Sequence, residues 1–131
     1  CLGLQLLFES SEESPGAQGL GILPGKVLRI PDGEGRKVPQ IGWNDLYYPS
    51  EFSGTAGEEK GRLFRGIPEH SYVYFVHSYS AVKCDEHIIA TSEYGGNVTA
   101  AVAKDNVLGC QFHPEKSGNV GLGILKAFCE W

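Results

Sequence analysis

The feature that most restricts the fold is a succession of short β-branched and aromatic runs between residues 72 and 112. They are YVYFVH at 72–77, then residues 81–84, 88–92, 98–102 and 107–112. Turn-forming residues separate the runs, which is the punctuation expected of short strands. Apolar spacing predicts a helix at each end of the chain. Residues 2–9 (LGLQLLFE) combine helical spacing with strong helix formers, and residues 119–131 repeat the pattern with Val120, Leu122, Ile124, Leu125, Phe128 and Cys129. Strands flanked by helices predict an α/β fold with a mixed sheet and not a sandwich.

The intervening segments read as connections. Residues 10–25 are rich in Ser, Glu, Gly and Pro and predict a loop; 27–30 predict a short strand, and 31–36 (PDGEGR) a turn. Residues 38–43 suit an irregular strand or loop, 49–60 a mobile loop, and 61–65 a single helical turn. At 131 residues, residues 1–131 are expected to form one domain. The balance of 41% hydrophobic to 21% charged residues is that of a folded chain. A net charge of -5 with scattered Lys and Arg argues against nucleic acid as a partner, and the absence of an apolar run near twenty residues argues against a membrane span. Cys1, Cys84, Cys110 and Cys129 show no CxxC pair and no Cys/His zinc spacing, so no metal is expected. Reduced thiols and a cytoplasmic location follow as expectations. Because the chain opens at Cys1 and has no Met, it reads as a processed chain or a fragment.

Cys1 immediately precedes the first predicted helix, where backbone N–H groups favour a thiolate. Gly3 removes a side chain that would crowd a tight turn there. Taken alone, a lone cysteine is more often a buried small hydrophobe. In Gly109-Cys110-Gln111-Phe112-His113-Pro114-Glu115, a histidine at a strand end is followed two residues later by a carboxylate. Such a pair can relay a proton, the imidazole acting as base and then acid while the carboxylate fixes its tautomer. His70 and His87 read as exposed and inert. His77 reads as a core histidine or part of a site wall.

The combination of Cys1-Leu2-Gly3-Leu4-Gln5 with Phe112-His113-Pro114-Glu115 resembles the signature of class I glutamine amidotransferases, whose triad runs Cys, His, Glu in that order. The blocks CLGLQLLFESSEE, GLGILPGKV, KVPQIGWN and YVYFVHSYS narrow the resemblance to the glutaminase subunits of imidazole glycerol phosphate synthase. Leu4 stands where those relatives usually carry Met, a volume-conserving change.

The resemblance implies a flavodoxin-like mixed sheet and glutaminase activity serving histidine biosynthesis, with catalytic Cys1, His113 and Glu115. It implies that Gln5 and Glu13 hold the α-amino end of L-glutamine and that His77, Ser78 and Tyr79 lie along the substrate. Trp43, Asn44 and Lys116 match positions facing a partner cyclase, a (β/α)₈ barrel that receives ammonia within a heterodimer. Core packing is the alternative for Trp43. No cofactor is implied. Family members carry a strand and a glycine-rich oxyanion loop ahead of the nucleophile, so this chain alone is expected to be weakly active or inactive. Other readings are a different class I member, an N-terminal-nucleophile amidohydrolase using the Cys1 amine as base, and a non-catalytic binding protein.

Overall fold

The structure is a computed structural model that describes residues 1–31, 33, 36–49 and 61–130. The expected mobile loop lies outside the described residues from position 50 onward, as do parts of the 31–36 turn. Among the described residues, eight strands and the helices α1 and α2 follow in the order α1 (Leu2–Leu6), β1 (Ser10–Ser11), β2 (Lys26–Arg29), β3 (Gln40–Asp45), β4 (Tyr72–His77), β5 (Tyr79–Val82), β6 (Ile88–Glu93), β7 (Asn97–Lys104), β8 (Val107–Cys110) and α2 (Gly118–Cys129). Residues 61–63 are helical, and 3₁₀ turns occupy Asp85–His87 and Pro114–Lys116.

The fold is mixed α/β, and among the described residues its strands form three small sheets: β1–β2–β5, β3–β4 and β6–β7–β8. Only β1 with β2 is parallel; the other named pairs are antiparallel. The first two of these sheets divide within the run 72–82, which the chain uses twice. As β4 it pairs with β3, with Gln40 opposite His77, and after a break at Ser78 it becomes β5 and pairs with β2.

Strand β4 alternates in the expected way, with Val73, Phe75 and His77 buried while Tyr72 and Val76 face outward. Strand β7 is buried from Val98 to Ala103, because its small side chains are covered on both sides. Ala100, Ala101 and Ala103 join Phe75, Phe112 and Ile124 in one core cluster, whereas Val102 joins Leu4, Phe8 and Val27 in a second beneath α1. In α2, Ile124 is buried but Leu122 and Phe128 remain 63% and 51% exposed, and with Leu125 and Cys129 also exposed, four of the six apolar residues read along this helix lie at the surface.

The first helix is shorter than its spacing predicts. It ends at Leu6 because loop residues take the carbonyls that a further turn would use: Leu20, Leu23, Gly21 and Gly19 donate to Leu6, Leu7, Phe8 and Glu9, respectively. Only glycine fits at position 19, since a Cβ there would lie 2.0 Å from the Phe8 carbonyl oxygen. The expected 10–25 loop therefore carries β1, which pairs with β2 through Ser10–Lys26 and Ser11–Val27. Strand β5 covers residues 79–82 and not 81–84, because Lys83 adopts a positive φ of 60° and Cys84 caps the following 3₁₀ turn.

Candidate active site

Cys1 is the N-cap of α1, and its nitrogen donates to the Gln111 carbonyl at 3.3 Å. That bond joins the start of the helix to the segment carrying His113. Behind it, α1 lies on β8, where the hydrogen side of Gly109 faces Leu4 and Leu7. Gly3 is less constrained than its place in the motif suggests. A Cβ there would meet the Cys1 Sγ at 3.6 Å, an ordinary contact, so crowding does not explain this glycine. With one turn of helix behind Cys1, the electrostatic help from α1 comes from its first N–H groups and not from a long dipole.

Strand β8 stops at Cys110, two residues before the sequence reading ends it, because the chain crosses to β4. Gln111 still donates to Ala100, but the His113 N–H donates to the Tyr74 carbonyl at 2.9 Å. Ser117, which the sequence reading passed over, locks this crossing. Its buried hydroxyl donates to the His113 carbonyl at 2.6 Å and accepts the Tyr74 N–H at 3.0 Å. The 3₁₀ turn Pro114–Lys116 then swings Glu115 back, so that its Oε1 lies 2.7 Å from His113 Nδ1. A carboxylate accepts there, which makes Nδ1 the donor and leaves Nε2 as the basic nitrogen.

Cys1 and His113 border one open cleft of about 340 Å³. Gln5 and Glu13 line it from α1 and the loop that follows, and Val76, His77, Ser78 and Tyr79 line it from the β4–β5 switch. Seven residues singled out from the sequence thus meet in one place, and Glu115 stands behind them through His113. Trp43, Asn44 and Lys116 lie outside the cleft. Trp43 is 55% exposed with its ring edge-on to Tyr74, which rules out core packing as its role. The Asn44 amide donates to the Glu93 carbonyl at 2.8 Å, and Lys116 is exposed.

His77 is 6% exposed, with Nδ1 against the Tyr79 carbonyl oxygen and Nε2 against the Gln40 side-chain oxygen Oε1, each at 2.8 Å. It is a satisfied core histidine and a site wall at once. Burial pushes its imidazole down to about 4, against the upward pull of the Tyr79 carbonyl. As pH falls from the ordinary value of 6.5 toward 4, the unfolded chain takes up a proton that the folded ring refuses. Stability from this group is therefore fully present above that window and declines through it, by about 3 kcal/mol in all. Urea unfolding at about pH 7 and pH 4.5 should show a smaller acid loss for His77→Phe than for the wild type. Equal losses would remove His77 as the cause.

The other histidines differ from each other. His70 is exposed, with Nδ1 3.1 Å from an Asp45 carboxylate oxygen. His87 was expected at the surface but is half-buried, with Nδ1 enclosed and without a partner among the described residues, because the 3₁₀ turn Asp85–His87 folds it inward. Gln111, also missed, is fully buried with both amide atoms unpartnered among the described residues. All four cysteines are free, and burial pushes Cys84 and Cys110 up to about 11 and about 12. Those two are poor nucleophiles, whereas Cys1 is exposed to the cleft. No helix among the described residues is long and apolar enough to cross a membrane.

Comparison with known proteins shows the family of the chain. The chain is 46% identical over 130 residues to the imidazole glycerol phosphate synthase subunit HisH of Methanothermobacter thermautotrophicus, covering 99% of the chain and 60% of that protein. It is 47% identical over 132 residues to the subunit of the same name from Desulfitobacterium hafniense, covering 100% and 57%, and 48% identical over 128 residues to that of Bacillus cereus, covering 98% and 56%. The chain thus spans less than two thirds of the length of these curated relatives. A crystal structure assigned as a GMP synthase component from Thermoplasma acidophilum superposes with a TM-score of 0.57 at 19% identity, covering 81% of this chain and 47% of that one, which shows a shared fold. The family description "Glutamine amidotransferase class-I" matches residues 1–130, and the chain belongs to that family.

Proposed function

We propose that residues 1–131 belong to a single glutaminase domain that hydrolyses L-glutamine and delivers ammonia to a cyclase partner making imidazole glycerol phosphate. The observation that carries this reading is that the His113–Glu115 pair, closed at 2.7 Å, opens onto the cleft that also exposes Cys1. His113 Nε2 takes the thiol proton as sulfur attacks the side-chain amide carbon of glutamine. The tetrahedral intermediate collapses when the same nitrogen returns that proton to the departing nitrogen, releasing ammonia and leaving a γ-glutamyl thioester on Cys1. Water, deprotonated by His113, then cleaves the thioester to glutamate and restores the thiol. Glu115 holds the imidazole in the correct tautomer throughout and balances its transient charge.

Gln5 and Glu13 suit the α-amino end of the substrate, an amide and a carboxylate facing an ammonium, while Ser78 and Tyr79 flank its length. The exposed Trp43, with Asn44 and Lys116, is assigned to the cyclase side, where a large indole serves as an anchor. A (β/α)₈ barrel at this surface in a cytoplasmic heterodimer would receive ammonia before water protonates it. No cofactor enters the reaction.

The test is steady-state glutamate formation by the complete protein assembled with its cyclase. Glu115→Gln should lower kcat by about a hundred-fold or more while KM stays within a few-fold, since the ring loses its tautomer control and not its substrate contacts. An unchanged kcat would reject the relay.

A further inference from the structure

We infer that Gln40 and His77 form a brace that fixes the backbone of Ser78 and Tyr79 for substrate binding, which makes both of them positioning residues. The inference rests on the glutaminase reading and deepens it by naming what holds the substrate-facing wall.

Ser78 stands where the chain leaves its ladder with β3 and enters its ladder with β2. At such a switch no continuous ladder sets the peptide planes, so other partners must. The Ser78 carbonyl accepts the Ile30 N–H at 2.9 Å, and the Tyr79 carbonyl accepts from His77 Nδ1 at 2.8 Å. With both oxygens engaged within the protein, the backbone polar groups this wall can offer a ligand are N–H donors. They suit the carboxylate of an amino-acid substrate.

The direction of each bond follows from chemistry. A carbonyl can only accept, so His77 Nδ1 carries the proton. In a neutral ring Nε2 is then an acceptor, and the atom placed 2.8 Å from it is Gln40 Oε1, the amide oxygen and also an acceptor. That contact is bonding only when the amide turns its NH₂ toward Nε2, an orientation of the same shape as its alternative. Gln40 and His77 are cross-strand partners, 2% and 6% exposed, so water cannot take the place of either member. The chain of donors therefore runs one way, from the Gln40 amide through the His77 ring to the Tyr79 carbonyl.

Two readouts on the complete protein with its cyclase test the brace. Nitrogen NMR of the His77 ring at neutral pH should report a neutral Nδ1–H tautomer, and a charged ring or an Nε2–H tautomer would overturn the inference. Gln40→Leu, close in volume but without a donor, should raise the KM for glutamine about ten-fold with kcat within about three-fold. Gln40→His, which restores an N–H donor, should recover most of that loss. An unchanged KM in Gln40→Leu, or no recovery in Gln40→His, counts against the brace. Should the wild type fail to turn over glutamine, the glutaminase reading fails, while the tautomer measurement still decides the brace.

Discussion

Cys1→Ser is expected to lower glutamine turnover by at least about a thousand-fold, with little change in KM. A thiol with an ordinary pKa near 8.5 supplies some thiolate at neutral pH, and an adjacent imidazole raises the fraction; a serine hydroxyl supplies almost none. The β4–β5 wall, Gln5 and Glu13 stay in place, so binding should persist. Cys129 provides the internal control, being an exposed thiol on α2 outside the cleft. Cys129→Ser should leave kcat unchanged, and glutamate release in the assembled complex measures both. A Cys1→Ser enzyme within ten-fold of the wild type would exclude sulfur as the nucleophile.

Gly121→Ala is expected to damage the site from behind. Alanine ordinarily stabilises a helix interior by about 1 kcal/mol relative to glycine. Here the added Cβ would lie 1.8 Å from the Pro114 carbonyl oxygen and 2.8 Å from its carbon, both backbone atoms. Steric conflict outweighs propensity, and relief requires moving the turn that joins His113 to Glu115. A stability loss of about 3 kcal/mol and a fall in kcat beyond ten-fold are expected. Gly123→Ala in the same helix is the comparison, since its Cβ would meet only the terminal Cδ1 of Ile67, at 3.0 Å. It should be close to neutral in urea unfolding and in kcat. Similar behaviour of the two variants would mean that the Pro114 contact does not govern the site.

That Cys1 and the His113–Glu115 pair form one candidate site was legible in the sequence because each lies in a short, contiguous motif, and the structure brings them to one cleft. The bounds of β4 were equally legible, since alternation over residues 72–77 reflects one buried face. The end of α1 was not. Nothing local to residues 2–9 stops a helix there; the stop comes from N–H donors at residues 19–23, which only the fold brings near. Ser117 and Gln40 were missed for the same reason, their partners Tyr74 and His77 being 43 and 37 positions away. His77 was seen, but as a choice between core and site, because a sequence cannot show that a ring faces both. The separation of the β1–β2–β5 sheet from the β3–β4 pair rests on the break at Ser78, which sits in an apolar and aromatic stretch with no turn residue of its own strong enough to mark it.

The central claim is that Cys1 alone among the thiols is paired with a base in a glutamine-sized cleft. Treating the complete protein, bound to its partner, with a diazoketone analogue of glutamine and mapping the adduct by mass spectrometry addresses it directly. The account predicts a single adduct on Cys1, suppressed by excess glutamine and by His113→Asn, with Cys129 unmodified. An adduct on Cys129, or an unmodified Cys1, would contradict it.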